Sequence, residues 1–229
     1  MSEGERDKTR ALVLIGNELT GAHGAPSTRA AIAEFLWELP WLQIDVTGDW
    51  EALRWDRVAS YDLVIAYTGS RKHECTSGQL AGLTRLVERG GGFVPLHFTS
   101  ANANPEFLAL VGAQFIGHPP HGPFTVRVSD ATHPVTHGLA DIEIEDECYQ
   151  SEFPDLGALH VLMTSHHPDP AAKIDGAPSA WVRQIGKGRL FYSALGHDAR
   201  SFAHPGLRDL LTRGIRWAAG LEPVAAVQA

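Results

Sequence analysis

The chain has 229 residues, 44% of them hydrophobic, with 27 acidic against 19 basic side chains and a formal net charge of −8. A domain of this length buries roughly 70% of the surface its unfolded chain exposes, so it can hold a core without disulfides or a structural metal, and two cysteines are too few for a disulfide framework. The acidic balance offers no electrostatic footprint for nucleic acid or an anionic membrane, and no apolar run is long enough to span one, so a cytoplasmic protein working on small molecules is expected.

Ala11 to Ile15 is a continuous apolar run closed by Gly16-Asn17, the pattern of a strand buried on both faces in a parallel sheet. Ile32, Phe35, Leu36 and Leu39 then recur at helical spacing behind Ser27, and Pro40 stops that helix. Leu42 to Val46 alternates as a second strand, and Asp62 to Tyr67 forms a third that ends at Thr68-Gly69. Cys75 to Gly90 carries helix signals at both ends: a capping box of Thr76 and Gln79, a Cys75–Leu80 staple, and Gly90 at the stop. Gly90 to His97 is a glycine turn feeding a fourth strand, and the alternation of strands with helices predicts a parallel α/β sheet. Beyond Phe115 the segments Phe124–Val128, Leu159–Met163, Ala180–Ile185 and Arg189–Ser193 read as strands of an antiparallel or mixed half. A last amphipathic helix runs from near Pro205 to near Gly220. One domain over residues 10–220 is expected, with 1–9 and 221–229 as flexible tails.

Ligands of open α/β sheets bind beyond the carboxyl ends of the strands, so the residues that follow each strand are the first candidates. Asn17, Glu18, Thr20 and His23 follow the first strand, Thr68 the third, and the fourth ends directly in His97, at a turn where related architectures place a nucleophile. His118 and His121 lie three apart on a proline-stiffened loop, able to ligate a metal or to meet a polyol. In the run Glu145-Asp146-Glu147-Cys148-Tyr149, Glu145 and Asp146 read as a solvated charge run. Glu147 and Tyr149 share a face of an extended segment, an acid beside a phenol suited to sugar hydroxyls or acid–base work.

In order along the chain, Gly90-Gly91-Gly92-Phe93-Val94, Leu96-His97, Gly117-His118-Pro119, His133-Pro134-Val135, Asp146-Glu147-Cys148-Tyr149, and Trp181 with Gly186 to Asp198 resemble the ThuA-like (trehalose utilisation) family, from about Ala11 to Ala219. The resemblance implies a three-layer, flavodoxin-like α/β fold of the class I glutamine amidotransferase-like kind. Its central sheet would be mostly parallel, with extra antiparallel strands in the C-terminal half. It also implies that His97 stands where the wider fold carries its nucleophilic cysteine, and His197 with Asp198 where that fold completes a triad. Imidazole does not replace a thiolate in forming a glutamyl thioester, so amidotransferase activity is not expected.

The resemblance implies a role in the catabolism of trehalose or a related, including oxidised, disaccharide. The expected catalytic residues are His97, His197 and Glu147 at a polar rim, where substitutions cost little stability. The expected substrate-binding residues are Asn17, His23, Thr68, His118, His121, Tyr149 and Asp198. The cofactor is left open, a divalent metal held by histidines being one form of the site. The expected partner is a small-molecule carbohydrate, with a homo-oligomer left open. The rival from another class is a non-catalytic carbohydrate-binding or regulatory module that keeps the same cleft.

Overall fold

Residues 8–16, 21–69 and 75–221 are described by the structure, a computed structural model. Along the chain these are β1 (Thr9–Ile15), α1 (Gly21–Gly24), α2 (Pro26–Trp37), β2 (Leu42–Thr47), α3 (Trp55–Val58), β3 (Leu63–Tyr67), α4 (Ser77–Glu88) and β4 (Gly92–Pro95). There follow α5 (Pro105–Val111), β5 (Gln114–Gly117), β6 (Gly122–Val128), β7 (Ile142–Asp146), β8 (Gln150–Glu152), β9 (His160–His166), β10 (Asp175–Ile185), β11 (Gly188–Ser193), α6 (Ala199–Ala203) and α7 (Pro205–Ala218).

The apolar runs of β1 and β3 are buried on both sides because they lie inside one nine-stranded sheet, ordered β2-β1-β3-β4-β11-β10-β9-β6-β7. Pairing is parallel from β2 through β11 and antiparallel from β11 through β7. Successive side chains of a strand serve opposite faces. Ala11, Val13 and Ile15 belong to one buried cluster with Ile32, Phe35 and Leu36 of α2 and Leu210 and Ile215 of α7, whereas Leu12 and Leu14 belong to another with Leu83 and Val87 of α4 and Phe107 of α5. Helices thus cover both faces, giving the three-layer α/β arrangement expected. The carboxyl ends of the parallel strands β1, β3, β4 and β11 lie at one edge of the sheet, beyond which a ligand of such a sheet would bind. Among the described residues no helix is long and apolar enough to cross a membrane.

Helix α4 begins as its sequence predicts: Thr76 Oγ1 accepts from the Gln79 amide and Gln79 Oε1 from the Thr76 amide. Ser27 does not cap α2. That helix starts one residue earlier at Pro26, whose ring presets the first helical φ, with no side-chain cap at Ala25. Seven elements of seven residues or fewer, α1, α3, α5, β5, β7, β8 and α6, were not predicted, being too short for a clear periodic signal.

Candidate functional site

The chain leaves β4 through Leu96 into a 3₁₀ turn, His97–Ser100, and His97 takes a left-handed backbone with φ of 44°. Such a conformation costs a side-chain-bearing residue about 1–3 kcal/mol and persists only where its surroundings hold it. Here the Tyr192 hydroxyl donates to the His97 carbonyl at 2.8 Å and lies 2.8 Å from Ser100 Oγ, while Thr99 Oγ1 donates to the Ala66 and Leu96 carbonyls. Close approach of β3's exit completes the clamp: a Cβ on Gly69 would lie 2.0 Å from the Phe98 carbonyl oxygen, so only glycine fits there.

The His97 ring is fully buried, which corrects the expectation of a rim position. Its Nδ1 lies 2.6 Å from the Ala194 carbonyl and must donate to it, so in the neutral ring Nε2 is the bare acceptor. Around that Nε2 stand the Tyr149 hydroxyl at 2.8 Å, His23 Nε2 at 3.1 Å and Glu147 Oε2 at 3.3 Å. His197 comes in from the segment after β11, with Nδ1 3.1 Å from Glu147 Oε2 and 3.2 Å from His23 Nε2. His118 Nε2 takes the other carboxylate oxygen, Oε1, at 3.2 Å. One largely buried helix residue, His23, supplies the remaining ring, stacked on Phe98 with centroids 4.6 Å apart.

Asp146 is what brings Glu147 and His197 face to face. It was expected to be solvated; instead it is 1% exposed, its carboxylate accepting from the amides of Glu147 (2.6 Å), Gly196 (2.9 Å) and His197 (3.3 Å). The correction has a visible cause. Ile142, Ile144 and Asp146 are buried while Glu143 and Glu145 are exposed, so the period-2 alternation of β7 carries Asp146 inward with the isoleucines. Tyr67 adds a hydrogen bond from its hydroxyl to the His197 carbonyl at 3.0 Å. Sequence reasoning singled out neither Tyr67 nor Tyr192, because both lie within strands whose apolar character marks them as core.

Burial of Glu147 opposes its ionisation, but the contacts of its carboxylate with the surrounding imidazoles, the hydrogen bonds from His197 and His23 first among them, prevail and hold the carboxyl well below the usual carboxylate range. Burial likewise works against a charged His197, yet Glu147 outweighs it and leaves the imidazole raised above its ordinary value. His23 is lowered, chiefly by burial. Near neutrality Glu147 is therefore a carboxylate and His23 a neutral ring, and the carboxylate favours the protonated form of His197. Burial also pushes the Tyr149 phenol well up, so it stays protonated.

The model of one family, ThuA, described as trehalose utilisation, matches residues 10–218 of this sequence. The chain belongs to the ThuA family. Among curated proteins none matches it. Among solved structures, this ThuA-family chain is similar to a ThuA-like protein from Bacteroides uniformis ATCC 8492, at 21% identity over 97% of this chain and 98% of that one, with a TM-score of 0.78. A ThuA-like protein from Parabacteroides merdae ATCC 43184 is similar at 20% identity over 96% and 93%, with a TM-score of 0.76. A β-galactosidase from Bacillus circulans sp. alkalophilus shares the fold over 32% of its length, at 14% identity and a TM-score of 0.61. At these identities the likeness shows the fold alone.

Of the residues expected at the ThuA-family site, His23, His97, His118, Glu147, Tyr149 and His197 converge. His121 packs on His197 at 5.2 Å between ring centroids, and its buried Nε2 has no hydrogen-bond partner among the described residues. Asn17 lies outside the described residues. Thr68 is not at the rim: it is fully buried, its amide donating to Thr99 Oγ1. Asp198 does not join the cluster either, because its carboxylate caps α6 by accepting from the Arg200 and Ser201 amides and pairs with the Arg200 guanidinium. No thiol replaces the missing nucleophile, since Cys75 and Cys148 are both buried, which pushes each to about 12.

Proposed function

We propose that this ThuA-family protein acts on a carbohydrate, trehalose or a related or oxidised disaccharide, in the cytoplasm, by proton transfer at His97, His197 and Glu147. The observation that carries the reading is a single carboxylate, Glu147, with His97 and His197 at one oxygen and His118 at the other. A carboxylate beside an imidazole whose protonated form it favours supplies a base and an acid, each step of such catalysis being worth about 10²–10⁴-fold. Room for a sugar adjoins this centre: His118 also lines a hollow of about 660 Å³ with Gln150, His167, Asp169 and Lys173, hydrogen-bonding groups suited to a polyol.

The test is to incubate the protein with plain and oxidised disaccharides and follow the sugar carbons by NMR, comparing wild type with His97→Gln and Glu147→Gln. Turnover abolished in both variants is the expected result. Because both residues are buried, each variant must first be shown to be folded by circular dichroism. Binding of a sugar with no turnover by the wild type would replace this reading with that of a carbohydrate-binding module.

A further inference from the structure

We infer that His23 Nε2, His97 Nε2, His197 Nδ1 and Glu147 Oε2 together bind one divalent transition-metal ion. This rests on the reading above only in placing the chemistry at this centre, and with the ion bound it recasts His97, His197 and Glu147 there from proton carriers to ligands. The four atoms all lie within 4.8 Å of one another. Five of the six separations are 3.1 Å (His23 to His97), 3.2 Å (His23 to His197), 3.1 Å (His197 to Glu147), 3.3 Å (His97 to Glu147) and 3.6 Å (His23 to Glu147). Ligands held tetrahedrally at about 2.0–2.1 Å from a zinc ion stand about 3.3–3.4 Å apart, so the side chains already have the spacing of such a shell.

Protons satisfy this arrangement poorly. A proton on one ring nitrogen points at one neighbour, while three nitrogens and a carboxylate oxygen face a common point. A cation at that point meets all four at once. The ligand atoms are also oriented from outside, as metal ligands are: His97 Nδ1 donates to the Ala194 carbonyl, which fixes the tautomer with Nε2 bare, and His118 holds Glu147 Oε1. Three imidazoles with one carboxylate suit zinc, cobalt, iron or manganese rather than calcium or magnesium, which favour oxygen shells. With Nε2 of His97 given to the ion, the Tyr149 hydroxyl, 2.8 Å from that atom, loses its acceptor and becomes a donor at the edge of the ion for a substrate oxygen. The ion in turn would polarise a carbonyl or hydroxyl of the sugar.

The experiment uses the full chain without a histidine tag, stripped by chelator and dialysed. It is titrated with Zn²⁺ by calorimetry and with Co²⁺ by visible absorption. Expected are one ion per chain, an intense four-coordinate Co²⁺ spectrum and a rise in melting temperature. His118→Ala should weaken binding about 10–100-fold, as loss of an outer partner does, and His23→Ala or His197→Gln should weaken it further. His160→Ala, which alters an exposed histidine paired with Asp130, should bind as the wild type does. Absence of stoichiometric binding by the wild type, or equal affinity in His23→Ala and His160→Ala, would overturn the inference. The two readings fail separately: metal bound without sugar turnover sinks the carbohydrate reading alone, and turnover undiminished in chelator-stripped protein sinks the metal alone.

Discussion

Asp146 shows how much one buried carboxylate can organise. Its two oxygens take the amides of three residues from two separated segments, and among the described residues no cationic side chain forms an ion pair with it. Asp146→Asn keeps the shape but has one oxygen, so its NH₂ group must face backbone N–H donors. Hydrogen bonds to a charged group contribute about 1.5–3 kcal/mol each, and the lost stability should reach about 2–3 kcal/mol in urea titrations. A loss below ~0.5 kcal/mol would mean that the 196–197 segment is held by other contacts. This residue also marks a limit of sequence reading. Glu145-Asp146-Glu147 looks like one charge run, and only the preceding Ile142-Glu143-Ile144 alternation separates its members into exposed, clamping and site residues. Glu147 and Tyr149 were legible as a pair, whereas their meeting with His97 and His197 depends on tertiary geometry that no local spacing carries.

Elements set the approach of these residues to one another. The exit of β3 passes so close to the 3₁₀ turn after β4 that Gly69→Ala has no room beside the Phe98 carbonyl. It should cost about 3 kcal/mol or more, with displacement of His97 seen as a lost or shifted histidine resonance in NMR; a variant as stable as the wild type would show that the turn can retreat. At α6 the controlling feature is its cap. Burial opposes ionisation of Asp198, but the Ser201 and Arg200 contacts lower its value below that of a free carboxyl. An acid depressed in the folded state stabilises above its unfolded pKa, near 3.9 for aspartate, and that stabilisation fades as pH falls through the folded value. The drop in melting temperature between about pH 6 and pH 3 should therefore shrink in Asp198→Asn, which still caps; an unchanged drop would assign the acid sensitivity elsewhere. The parallel strands were readable because burial on both faces makes them continuous apolar runs, and α4 because its cap lies within four consecutive residues. β5 and β8, of four and three residues, exist only through pairing with each other.

The whole molecule is a sheet that changes character at β11, parallel on one side and antiparallel on the other. In that order β7 is four strands from β11, a distance of roughly 19 Å if the sheet were flat. Yet Asp146 at the end of β7 accepts from the Gly196 amide just beyond β11 at 2.9 Å, so the antiparallel half curls back over the rim where β4 and β11 end. His23 and His197 meet across 174 positions of sequence by the same closure. The centre is thus a checksum on the entire chain, returning the right value only when the first segment and the last have both arrived. Trypsin cutting at exposed Lys173 should leave the folded centre in place, but recovery after denaturation should become dependent on protein concentration, because two pieces must then find one another. Recovery independent of dilution would show that one piece carries the centre alone. A protein arranged this way has no partly built form of its centre: a nascent chain, or pieces that have not yet reassociated, lacks it altogether.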